Sequence, residues 1–172
     1  MYAFLLLATS LRTAPPVMHH VPSDPVTIHG GSLRTWSYRN PSLRQVQVSL
    51  RSHGRPVDAD IELWNGPSNT PFKMRVYLED GSRRPLHAVL ELPPCAPHTV
   101  AVQNISPIEF PVVAEVTTTH VERPSSRCVT SDAVIQGGAL RTYPFTPDAQ
   151  RIQVRLKTMG RPLNARVEVL QG

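Results

Sequence analysis

The chain has 172 residues, and 18 of them are proline, which breaks the interior of a helix, so this composition excludes an all-helical protein. Hydrophobic residues make up 40% of the chain and charged residues 18%, which is enough for a packed core and excludes a disordered chain. The net charge is +5 and its arginines are scattered, which favours an acidic protein or lipid surface as partner over nucleic acid.

The first predicted element is the apolar run over residues 1–8, which is followed by a polar, proline-rich stretch at 15–25. The run is too short to cross a bilayer, which takes about 20 residues, so the chain is predicted not to be transmembrane. Three interpretations fit the run: the end of a signal or transit segment, a strand, or a helical tail that binds a partner. Residues 1–25 are therefore treated as a separate N-terminal segment.

Short runs that alternate apolar and polar residues follow, and turn residues separate them at intervals typical of an all-β protein. The Asp80-Gly81 pair additionally predicts a hairpin at residues 79–82. The pattern predicts an antiparallel, jelly-roll-like β-sandwich of about eight strands over residues 26–116. The predicted strands are 26–28, 33–38, 45–50, 57–64, 72–78, 87–92, 99–105 and 108–116.

A sequence repeat organises the rest of the chain. Residues 28–66 and 135–172 share fifteen identical positions in the same order, among them Gly30 with Gly137 and Gly54 with Gly160. We therefore expect one complete module at 26–116, a linker at 117–130 and a partial second copy at 131–172, with four strands over 134–170. Such a copy has unpaired strand edges, so a partner chain or further residues are expected to cover it.

Two cysteines and three carboxylates are the candidates for a disulfide and for a metal site. Cys95 and Cys128 fit either one disulfide or two free buried thiols. Three carboxylates, Asp58, Asp60 and Glu62, share one strand face and have the oxygen ligands that Ca²⁺ takes. Their repeat mates are an asparagine, an arginine and a glutamate, which favours a solvated face, so neither a metal nor a cofactor is expected.

Three aromatic residues suggest an alternative function, in which the chain is a carbohydrate- or small-ligand-binding module. Trp36, Tyr38 and Trp64 are candidates for a platform that stacks on sugar rings, although packing in the core or at a sheet edge is the commoner use of such residues. The sequence lacks the motifs of nucleophilic hydrolases, zinc proteases and phosphate-binding loops, so the chain is predicted not to be an enzyme.

Arginines in turns are the first candidates for binding a partner. Arg34 follows a glycine pair and Arg55 lies in a Gly-Arg-Pro turn, where a guanidinium can bond several carbonyl oxygens. Both recur in the second copy, as Arg141 and Arg161. The predicted partner-binding residues are Arg34, Arg55, Arg141, Arg161, Trp36 and Trp64.

Three sequence runs are distinctive: Gly30-Gly-Ser-Leu-Arg-Thr-Trp-Ser-Tyr38, Gly54-Arg-Pro-Val-Asp-Ala-Asp-Ile-Glu-Leu-Trp-Asn-Gly66 and Lys73-Met-Arg-Val-Tyr77. These runs resemble those of uncharacterised plastid β-sandwich proteins of diatoms and other algae with secondary plastids. The resemblance covers residues 26–116 and again 131–172, implies a plastid location and brings no catalytic residues. We hypothesise a non-catalytic structural subunit that docks on a larger assembly, with a photosynthetic thylakoid membrane complex as the expected target.

Overall fold

The computed structural model describes residues 2–8, 24–66, 68–94, 97–118, 133–149 and 151–170, and these ranges contain strands but no helix. This confirms the predicted all-β class. The apolar N-terminal run is a strand, as one of its three interpretations stated. The strands are β1 (Tyr2–Ala8), β2 (Val26–Ile28), β3 (Leu33–Tyr38), β4 (Gln45–Arg51), β5 (Val57–Trp64), β6 (Phe72–Leu78), β7 (Leu86–Glu91), β8 (His98–Asn104), β9 (Val112–Thr117), β10 (Arg151–Lys157) and β11 (Leu163–Val169).

The strands form two sheets that pack face to face. The six-stranded sheet has the order β10-β1-β7-β4-β9-β2, and the five-stranded sheet has the order β11-β6-β5-β8-β3. If β2–β9 are counted from one to eight, the sheets read 1-8-3-6 and 2-7-4-5, which is a jelly roll with two Greek keys. The predicted sandwich is therefore confirmed. Among the described pairs, only β11 with β6 is parallel.

The core lies between the two sheets and follows from the alternation of side chains along each strand. In β5 and β6 every second residue is fully buried, as Ile61 and Met74 show, and the residues between them face outward. Burial of each such aliphatic side chain contributes about 1.5–3 kcal/mol. The predicted strand at 108–116 begins only at Val112, because the backbone turns at Pro107, whose carbonyl oxygen accepts a hydrogen bond from Phe110 N at 3.0 Å.

The predicted hairpin at residues 79–82 is wrong. A turn does form there, since Asp80 Oδ1 accepts hydrogen bonds from the backbone nitrogens of Ser82 and Arg83. However, β6 and β7 belong to different sheets, so the segment crosses from one sheet to the other. Gly81 is buried there, and a Cβ at this position would overlap a methyl group of Val57. The glycine serves close packing at the crossover rather than strand pairing.

The second repeat contributes β10 and β11, one to each sheet. Of the four strands expected over 134–170, these two form, and the described residues 133–149 contain none. The two strands are the repeat mates of β4 and β5, which lie in the middle of their sheets. Both new strands lie at sheet edges, beside β1 and β6 respectively. Cys95 and Cys128, and most of the expected linker, lie outside the described residues.

Candidate interaction surfaces

The outer face of the five-stranded sheet carries a ladder of ion pairs. Lys73 Nζ lies 3.0 Å from Asp60 Oδ2 and 2.7 Å from Glu62 Oε1. Arg75 Nη2 lies 2.9 Å from Asp58 Oδ2. Because two cations on β6 form ion pairs with all three carboxylates on β5, this face is organised as a cross-strand charge ladder rather than as an open cation site. No cluster of metal-ligating side chains occurs among the described residues.

Hydrogen bonds within the ladder favour the charged forms of Glu62 and Lys73. Partial burial alone would raise the pKa of Glu62, but the hydrogen bonds from Lys73 and Trp64 outweigh it and hold the pKa below its usual value. The same carboxylates raise the pKa of Lys73. Trp64 Nε1 donates to Glu62 Oε2 at 2.7 Å, so the indole is fixed to the outer face. Glu62 and Lys73 therefore stay ionised near neutral pH.

The three candidate aromatic residues do not share one face. Trp36 and Tyr38 are half-buried on β3 and pack against the core, and burial raises the pKa of the Tyr38 hydroxyl. Trp64 lies at an outward position of β5 with the acidic residues. The three side chains therefore do not form a single stacking platform, and sugar binding stays a prediction.

The four candidate arginines are all exposed and lie at separate places in the fold. Arg34 lies on the edge strand β3, and Arg141 lies in the strandless segment 133–149. Arg55 lies in the turn before β5, with its guanidinium carbon 5.5 Å from the centre of the Phe110 ring. Arg161 occupies the equivalent turn before β11, where Thr158 Oγ1 donates to its carbonyl oxygen. No described contact joins these arginines, so partner binding by them stays a prediction.

The second repeat contains an exposed arm, which we define as residues 133–149. Every described residue of it except Ala149 is exposed. Ile135 is 46% exposed, whereas its repeat mate Ile28 is 1% exposed in the core. A cation–π contact, with Arg84 Cζ 5.1 Å from the centre of the Phe145 ring, joins the arm to the sandwich. The arm therefore exposes an isoleucine whose repeat mate lies in the core.

The arm nevertheless has the same local turn as the first repeat. Ser32 N donates to His29 O at 3.1 Å, and the equivalent bond from Ala139 N to Gln136 O is 3.0 Å. The second glycine of each Gly-Gly pair has φ of 75° and 79°, the left-handed region that glycine reaches without strain. The turn thus forms from local sequence, with or without tertiary contacts around it.

In the first repeat this turn fits into a socket that sequence analysis missed. The fully buried Asn104 donates through Nδ2 to Ile28 O at 2.9 Å, and its backbone carbonyl accepts from Gly31 N at 2.8 Å. A Cβ at Gly30 would overlap the carbonyl oxygen of Pro107, whereas nothing lies within 4 Å of a Cβ at Gly137. The shared glycine was a visible signal of close approach, but Asn104 has no mate within the repeated residues that could have revealed the socket.

The two strands of the second repeat also leave open sheet edges. Within the described ranges, β10 pairs on one side with β1, and β11 pairs on one side with β6. Most of their inward residues are half-buried, whereas Leu163 and Val169 at the two ends of β11 are buried. The half-buried ones are Ile152, Val154 and Leu156 on β10, and Ala165 and Val167 on β11. Unpaired edges of this kind can accept a further strand. The arm and these edges lie in one repeat, which identifies it as the candidate interaction surface.

The architecture defines the class of protein: a jelly-roll β-sandwich whose second repeat contributes an exposed apolar segment and one edge strand of each sheet. No described segment is a helix able to cross a membrane. The family model of the diatom pyrenoid shell protein matches residues 19–172, and the chain belongs to this family. Membership indicates a structural, non-enzymatic protein of the plastid pyrenoid and confirms the expected relation to diatom plastids. A search of curated proteins finds no match.

Proposed function

We propose that this chain is a non-catalytic structural subunit that joins a larger protein assembly through the arm and the open edges of its second repeat. The observation that carries this proposal is where the exposed large hydrophobic side chains lie. Of nine in the described ranges, seven belong to the second repeat: Val134, Ile135, Leu140, Tyr143, Phe145, Met159 and Leu170.

The clustering of exposed apolar side chains in one segment indicates a surface that contacts another protein rather than one that stays in water. Single exposed hydrophobic residues are ordinary, but a run of them in one segment is typical of a protein interface. The arm also holds a preformed turn, which lowers the entropy lost when the segment binds. A shell subunit needs surfaces of this kind because its role is to join other protein molecules.

The sequence also predicts a more specific target, a photosynthetic thylakoid membrane complex. No feature of the described residues favours that target over an assembly confined to the pyrenoid. Fractionation of plastids separates the two: an accessory thylakoid subunit co-purifies with the membranes after a salt wash, whereas a pyrenoid subunit stays with the pyrenoid fraction.

The proposal is tested by sedimentation of the full chain at several protein concentrations. We expect association above the monomer mass, and we expect the variant Leu140→Ser/Tyr143→Ser to shift the distribution toward the monomer. The control is Leu33→Ser/Ile108→Ser, which removes exposed apolar residues of the first module (residues 26–116) and should leave association unchanged. A monomer at all concentrations, or equal effects of the two variants, would contradict the proposal.

A further inference from the structure

Strand β10 carries a row of basic side chains on its outer face. Since Ile152, Val154 and Leu156 pack toward the core, the residues between them point outward. These outward residues are Arg151, Gln153, Arg155 and Lys157, and the three cations among them are exposed. The three cations also have contacts within the chain. The features relevant to a partner are therefore the sign of their charge and their spacing along β10. The open edge of the six-stranded sheet is therefore flanked by positive charge.

This charge is not shared by the repeat mate of β10. The equivalent outward residues of the central strand β4 are Gln45, Gln47, Ser49 and Arg51, with one cation. The other edge strand has changed in the same direction, because Asn164 and Arg166 of β11 replace Asp58 and Asp60 of β5. The edge strands β10 and β11 are thus each more basic than the central strand of the first repeat to which they correspond.

A second β10 strand does not suit this edge. Two copies paired antiparallel about Val154 would place Arg151 opposite Lys157 and Gln153 opposite Arg155. Like charges directly opposite each other on paired strands are destabilising. Cationic side chains on an edge are a common way to prevent self-pairing of this kind. The edge therefore selects against its own copy.

An added strand with acidic side chains would match both the basic side chains and the backbone of this edge. Side chains on one face of a strand recur about every 7 Å, at alternate residues, so carboxylates at every second position of an added strand would lie opposite the basic row. The backbone of the added strand would pair with the edge of β10 that has no neighbouring strand among the described residues. A membrane or nucleic-acid surface would meet the charge but would leave the backbone edge unpaired, so it fits less of the site.

We propose that the open edge of β10 binds an acidic, extended segment of a different protein as an additional antiparallel strand. Carboxylates at alternate positions of that segment pair with Arg151, Arg155 and Lys157. The inference rests on the proposed structural role and names the partner chemistry of one of its surfaces. It makes this edge a heterotypic contact, distinct from the apolar arm.

The test measures binding of fluorescent nine-residue peptides to the full chain by anisotropy. A peptide with glutamate at every second position and valine between should bind, more weakly as salt rises. The same residues with the glutamates grouped at one end should bind about tenfold more weakly, since register is lost. A version with N-methylated backbone should not bind, because it cannot pair with the edge.

Charge reversal locates the site. Arg155→Glu should weaken binding of the alternating glutamate peptide about tenfold and create binding of the matching lysine peptide. The control Arg39→Glu makes the same charge change at an exposed position after β3 and should leave the affinity unaltered. Equal binding of alternating and grouped peptides, equal effects of the two variants, or tighter binding of anionic vesicles or duplex DNA would overturn the inference. If these results occur while arm-dependent sedimentation persists, the proposed function stands and the acidic-strand inference alone fails.

Discussion

The two repeats place the same residues in different surroundings. Val48 and Leu50 of β4 are fully buried, whereas the identical Val154 and Leu156 of β10 are half-buried. The turns of the two repeats share the same internal hydrogen bond, yet the first turn is enclosed and the second is open. Local conformation therefore follows the repeated sequence, while burial follows the number of neighbouring strands.

The largest expected effect is a difference in stability between substitutions of two leucines at equivalent positions of the repeats. Leu50→Ala should lower the free energy of unfolding by about 2–5 kcal/mol, since it leaves a cavity in a closed core. Leu156→Ala should cost less than half as much in the isolated chain, because the side chain is half-buried and its surroundings can relax. Urea unfolding of the two variants measures the difference. Equal losses would show that the second repeat is as tightly packed as the first.

Two glycines provide a second contrast. Gly30→Ala should destabilise the protein by about 1–3 kcal/mol, because the new methyl group overlaps the Pro107 carbonyl and forces the backbone apart. Gly137→Ala has open space around it, so its effect should lie within about 0.5 kcal/mol of zero. Thermal unfolding of both variants checks this. If assembled protein becomes sensitive to Gly137→Ala, the arm has found a socket like that of the first repeat.

Sensitivity of the folded protein to acid should come from His98, in the part of the first module (residues 26–116) that the second copy lacks. Burial lowers the pKa of this imidazole, whose Nδ1 lies 2.6 Å from Asn65 Oδ1 and whose Nε2 lies 3.1 Å from Pro93 O. As the pH falls below about 6.5, the unfolded chain takes up the proton first, so stability is lost until the folded pKa is passed. His98→Gln should reduce the loss of unfolding free energy as the pH falls. Urea unfolding between pH 7 and pH 5, a range around the ordinary histidine pKa of about 6.5, measures this loss. An unchanged slope would assign the proton uptake to other groups.

The smallest expected effect concerns the charge ladder. Asp58→Asn gives β5 the residue that β11 has at the equivalent position and removes the ion pair with Arg75. Because the Arg75 side chain is 41% exposed, the loss should be at most about 1 kcal/mol. Asn164→Asp is the reverse change and should be close to neutral. The difference between the two unfolding free energies should shrink in high salt, and a salt-independent difference would contradict an electrostatic cause.

Much of the jelly roll could be predicted because its strands alternate strictly. β5 and β6 agree with prediction at both ends, since period-two burial on one face leaves no other register for Ile61 or Met74. The Asp80-Gly81 turn was located correctly but assigned to the wrong connection. The socket residue Asn104 could not be predicted, because Ile28, whose carbonyl oxygen it bonds, lies 76 residues away in the chain.

The sequence by itself determined the strands of the first repeat, the duplicated turns and the charge rows, because each depends on residues near one another in the chain. Only the tertiary structure decided that β1 lies between β7 and β10, that β11 pairs parallel with β6, and that the arm stays outside the sandwich. These outcomes depend on which strand edges remain for pairing once the core has closed. A repeated sequence can specify the same turn twice, but it cannot supply the neighbours that bury it.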